Sequence, residues 1–173
     1  MIELLLASDA RAWAQDILVL ILCLTALVWG AGPERAVIGI WVFCVELPKF
    51  IYRDWLGYNV LVDQVDMYLA AKDVAAGLLW VVLALYANRN YPLWIAGVQL
   101  LAVGAHVARG LLEAIAPISY AFLIVAPGWI ILVMMAIGFT RHIMRERRFG
   151  PYRSWRTSPV RDGPPSLAHG DVS

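Results

Sequence analysis

PLWIAGVQLLAVGAHVARGLLE, running from Pro92 to Glu113, decides how the chain is read, because an otherwise lipid-like helix carries Gln99, His106, Arg109 and Glu113. At about 100° per residue these four fall within an arc of about 80°, while Gly97, Gly104 and Ala108 lie on the opposite side, where a second backbone can approach closely. A polar stripe backed by small residues belongs inside a helical bundle.

The rest of the composition agrees. With 61% hydrophobic residues, a mean hydropathy of +0.69 and only 16% charge, most of the chain belongs in lipid rather than in a soluble domain. At about 20 residues per span, 173 residues allow four or five spans and a tail. The sequence therefore predicts an all-α, polytopic transmembrane bundle over residues 1–140, followed by a basic, largely unstructured tail over 141–173. Residues 140–173 hold seven arginines against three acids, whereas the remainder is net acidic. The first residues, Met1 to Asp9, lack the basic start of a signal peptide and read as retained. Cys23 and Cys44 sit in apolar runs and read as buried thiols.

Going outward from the central stretch, Asn88-Arg-Asn-Tyr-Pro92 reads as a tight turn that makes the flanking spans an antiparallel hairpin. The span before it covers Met67 to Ala87, with Lys72 and Asp73 near its start. A first span ends at Gly30-Ala-Gly32, and Pro33 with Glu34 suits the opening turn of a second. That second helix meets Pro48 and is expected to kink there and cross; if it does not cross, the count falls from five spans to four. Residues 54–66 mix aromatic and acidic side chains and suit a membrane surface. The last span, Ile118 to Thr140, holds Pro127-Gly128 and should bend. Arg141, Arg145, Arg147 and Arg148 follow it, which under the positive-inside rule predicts a cytoplasmic C-terminus and, with five spans, an outside N-terminus in a bacterial-type inner membrane. The same arginines suit anionic lipids of the inner leaflet.

Depth can be counted at about 1.5 Å per residue from Pro33 and Pro92. Glu46 and His106 then lie roughly 20 Å up, Lys49 and Arg109 roughly 25 Å, and Arg53 and Glu113 roughly 30 Å, by the same rise. Asp73 comes to the level of Glu46. A charge at a helix centre costs about 2.5–3.5 kcal/mol without a partner, so these groups should converge. The expectation is a polar cluster of Glu46, Lys49, Asp73, Gln99, His106, Arg109 and Glu113, with Glu46, His106 and Arg109 in one contact group, Glu113 above and Asp73 at its side.

No His-Glu-x-x-His, Gly-x-Ser-x-Gly, Cys-x-x-Cys or P-loop occurs, one intramembrane histidine is not by itself a haem or metal site, and the sequence names no cofactor. Nothing suggests nucleic-acid binding. Three functions fit. The first is a non-enzymatic accessory or assembly subunit of a membrane system, with the cluster as a clamp and the Gly97/Gly104/Ala108 face as the contact to a like or unlike chain. The second is a binder or transporter of a small anionic or protonatable solute entering from outside. The third is an intramembrane enzyme using a His/Glu acid–base pair.

Overall fold

The structure, a computed structural model, describes residues 9–57, 67–111, 117–150 and 154–156, and every regular element among them is helical. Helix α1 spans Asp9–Trp29. Gly32–Trp41, Val42–Glu46, Leu47–Lys49 and Phe50–Trp55 then follow one another without a gap, and are together called α2. Helix α3 is Met67–Tyr86, α4 is Tyr91–Leu111 and α5 is Pro117–Phe149. Each helix packs on its neighbours in sequence, and α1 packs on α5 to close a five-helix ring, with α2 also touching α5 across it.

Four of these helices are apolar and long enough to cross a membrane, through Ala12–Trp29, Met67–Tyr86, Tyr91–Leu111 and Val125–Phe149. The chain is thus a helical membrane protein. Helix α2 is different, and the difference lies at Pro48. The expected kink is replaced by two π-helical stretches, Val42–Glu46 and Phe50–Trp55, on either side of Leu47–Lys49. Proline has no N–H and its ring clashes with the carbonyl four residues earlier, so a widened turn accommodates it without ending the helix. The backbone shows the widening: Leu47 N–H donates to Val42 O, and Leu56 N–H to Ile51 O at 3.0 Å. Pro48 O accepts from the Tyr68 hydroxyl at 3.0 Å. Residues 32–55 are therefore helical throughout, about 36 Å long.

The start of α2 follows the sequence. Pro33 occupies its first turn with Glu34, and Arg35 reaches back to cap α1, donating to Ala26 O at 3.3 Å and Leu27 O at 3.1 Å. Those carbonyls belong to the last turn of α1, where Ala26 O also accepts from Gly30 N–H at 3.0 Å. The α3–α4 connection is the expected tight turn.

The middle of the ring is apolar. Trp41 and Trp80, fully buried, face each other with ring centroids 6.2 Å apart, and Val37, Ile95, Ile131, Leu132 and Met135 fill the space around them. The aliphatic surface turned outward is extensive, from Leu20 and Leu27 on α1 to Leu100 and Leu101 on α4. In lipid that arrangement costs nothing.

Helix α5 runs on past Thr140, where the tail was expected to begin, to Phe149. His142 is buried and Ile143 half-buried against the bundle, so residues 141–149 have a packed face. Gly150 ends the helix with φ +75° and its N–H on Glu146 O at 2.8 Å, a left-handed cap that glycine adopts without strain. Beyond it, Ser154 O accepts from Asn88 N–H at 3.1 Å and Arg156 N–H donates to Tyr86 O at 3.0 Å. Trp155 lies so close to Gly32 that a Cβ there would meet its indole Nε1 at 2.7 Å. Residues 154–156 are thus a short strap tied to the end of α3 and seated on the start of α2. The expected interfacial segment falls largely outside the described residues, at 58–66.

Candidate polar site

Ionisable side chains gather in two layers, at opposite ends of the ring. The first is built around Asp73. It lies in the second turn of α3 and is buried, and its carboxylate takes three donors. Lys72 Nζ donates to Oδ1 at 2.8 Å, Gln99 Nε2 to the same oxygen at 3.0 Å, and His106 Nε2 to Oδ2 at 2.9 Å. Gln99 also donates to the backbone O of Asp73 at 3.1 Å. Gln99 and His106 are both 4% exposed, and their spacing of seven residues, two helical turns, lets one face of α4 grip a single residue of α3.

Beside it stands a second set on α1 and α2. Glu46 Oε1 accepts from the Trp41 indole N–H at 3.0 Å, and Oε2 pairs with Lys49 at 2.5 Å. Lys49 also pairs with Asp16 of α1. The lysine lies three residues beyond Glu46 and so shares its face of the helix, which gives Glu46 a partner on its own helix.

The structure therefore brings together Asp73, Gln99 and His106 in one hydrogen-bonded group, and Glu46 with Lys49 in another. Asp73, expected at the side of the group, is the centre of the first. Depth counting gave its level but not its direction. Arg109 is half-buried in the last turn of α4, and Glu113 lies outside the described residues. Asp16 and Trp41 were not anticipated. Asp16 reads as a polar residue at a helix start, and an indole N–H carries no sequence signal for its acceptor.

The second layer has no counterpart among the sequence expectations. Glu34, wholly buried at the start of α2, accepts from Arg89 Nε in the α3–α4 turn at 3.2 Å. Its other oxygen, Oε2, has no hydrogen-bond partner and lies 3.9 Å from His142 Nε2 of α5, which is itself 3.5 Å from Glu146 Oε2. Both Glu34 and Arg89 sit in the turns at one end of the bundle, so their meeting was there to be inferred, but turn charges are ordinarily assigned to water. The His142–Glu146 spacing of four residues was the other available signal.

Gly97 and Gly104 are exposed, with no atom near enough to touch an added Cβ, and Ala108 is half-buried. Arg141, Arg145, Arg147 and Arg148 are all exposed. Among the described residues, no three His, Cys, Asp or Glu side chains are placed to hold a metal ion. Comparison with protein-family models, with curated proteins and with solved structures finds no match.

Proposed function

We propose that this chain is a non-enzymatic accessory or assembly subunit of an inner-membrane system, a five-span bundle held at each end by a polar clamp. The observation that carries the reading is the engagement of Asp73 by donors from within the bundle. Three side-chain donors converge on its two oxygens, and the histidine beside it is 4% exposed. A general base needs a lone pair directed at substrate, and a solute site needs uncommitted donors. In this layer Lys72 is paired with Asp73, and Lys49 with Glu46 and Asp16. The solute and enzyme readings both start by breaking that set.

The contact to another chain is proposed at the Gly97/Gly104/Ala108 face of α4, which the ring itself leaves open. A photo-crosslinking residue introduced at Gly104 should capture a second protein chain in the native membrane, and one at Leu85 on α3, exposed but outside this stripe, should not. A species that stays monomeric at both positions, and on native gels of gently solubilised membranes, would sink the reading.

The orientation proposed is N-terminus outside and C-terminus in the cytoplasm. It is supported by Arg35, Arg89, Arg141, Arg145, Arg147, Arg148 and Arg156 all lying at the Glu34 end, against two acids there among the described residues. Alkaline phosphatase fused ahead of Met1 should be active, and a fluorescent protein fused after Ser173 should fold and glow. Both fusions reporting one side would mean that α2 does not cross.

A further inference from the structure

The four arginines after Thr140 read as a single cluster in sequence, but the helix divides them. At about 100° per residue, Arg141, Met144, Arg145, Arg148 and Phe149 share an arc of about 140°, and all five are exposed. Arg147 points elsewhere. His142 and Ile143 turn inward, and His142 lies against buried Glu34, so the roll of the helix is pinned and the arginine face is held outward.

Its height is fixed as well. Phe139 packs edge-on against Tyr91 at the start of α4, with centroids 6.3 Å apart, which sets Arg141 level with the α3–α4 turn. Three large aromatics are exposed around the ring near that level: Trp29 at the end of α1, Tyr86 at the end of α3 and Trp94 at the start of α4. Such rings collect at the depth of the lipid headgroups. The arginine face therefore starts at headgroup depth.

We infer that Arg141, Arg145 and Arg148 form a binding face for the headgroup of an anionic phospholipid. Guanidinium groups match phosphate oxygens with paired donors, and one-turn spacing sets successive donors along the same side of the helix. Met144 and Phe149, 65% and 74% exposed, supply apolar contacts for the glycerol and upper acyl region. The Arg148 guanidinium carbon stands 5.4 Å from the Phe149 ring centroid, which steadies both side chains on this face. The inference is independent of whether the chain is an accessory subunit.

The test is binding of phosphatidylglycerol to the detergent-purified full chain, followed by native mass spectrometry against phosphatidylcholine with the same acyl chains. The wild type should bind phosphatidylglycerol more tightly, with the preference shrinking as salt rises. At roughly fivefold per basic residue, the triple variant Arg141→Gln/Arg145→Gln/Arg148→Gln should lose on the order of a hundredfold in phosphatidylglycerol affinity. Its melting temperature should fall by no more than a few degrees, since all three side chains are exposed and contacts made at the surface contribute little. Arg147→Gln should lose no more than a few-fold. Equal binding of the two lipids by the wild type would overturn the proposal without any variant. So would undiminished binding by the triple variant, or an equal loss from Arg147→Gln alone.

Discussion

Asp73→Ala is expected to be among the most destabilising single substitutions in the chain, at about 3–5 kcal/mol, the range found when one partner of a buried ion pair is removed. The aspartate is the only acceptor common to Lys72, Gln99 and His106 among the contacts described above, and it is 7% exposed. Deleting it leaves an ammonium, an amide and an imidazole aimed at one another with no carboxylate between them. In water they would be resolvated. Within an apolar ring the donors that faced the carboxylate must turn to other acceptors or draw water inward, and Gln99 keeps only the backbone O of residue 73. Asp73→Asn should cost less, because an amide oxygen still accepts one bond, but it leaves Lys72 without its counter-charge. The double variant Asp73→Asn/Lys72→Gln should then recover part of the loss. Thermal unfolding of the purified protein in detergent measures all three, with Leu101→Ala on the lipid-facing side of α4 as the control. A loss below about 1 kcal/mol for Asp73→Ala would show that water already reaches the group. That result would revive a solute-binding role and end the reading of this layer as a clamp.

How much of this was legible depended on whether a signal was periodic. The face shared by Gln99 and His106 is a matter of helical angle, and the need for a partner is a matter of lipid energetics, so a polar layer involving α4 is legible in the sequence. Which acid would answer is not, because equal depth on two helices says nothing of the rotation of each about its axis. Glu46 is drawn toward Lys49 and the Trp41 indole by residues on its own helix. Pro48 marked an irregularity correctly, yet the choice between a kink, a stop and a widened turn depends on whether neighbouring helices reward continuity. The start of the tail lies later than expected, after Phe149 rather than Thr140, for a different reason. Arg-rich sequence signals topology strongly and so masks the Gly150-Pro151 stop, the clearest mark of where α5 ends. The strap at Trp155 rests on one close ring contact with Gly32 and two backbone hydrogen bonds, none with a sequence pattern behind it.

The Glu34–Arg89 pair should prove as costly to break, and its consequences should reach the tail. Glu34 is wholly buried and the Arg89 side chain is 7% exposed, so this is a desolvated pair rather than a surface one. Glu34→Gln removes the counter-charge of the guanidinium, and Arg89→Met removes that of the carboxylate and leaves it, among the described residues, facing only His142 at 3.9 Å. Each is expected to cost about 3–5 kcal/mol, whereas the double variant Glu34→Leu/Arg89→Met should stay within about 1 kcal/mol of wild type or exceed it, since well-packed apolar replacements of buried pairs commonly do. The singles therefore report desolvation and the double reports whether the charges are needed for folding at all. The strap separates structure from mere charge balance. Arg89 Nη1 also donates to Asn88 O at 3.1 Å, and the N–H of that same asparagine donates to Ser154 O at 3.1 Å. Losing Arg89 loosens the turn on which the strap is hung, while losing Glu34 does so only through Arg89. Limited trypsin cleavage at Arg156 should accordingly accelerate in Arg89→Met and in the double variant, even where the double variant melts like wild type. Cleavage that tracked melting temperature across all three variants would mean that the strap follows global stability and is not held by the Arg89 turn.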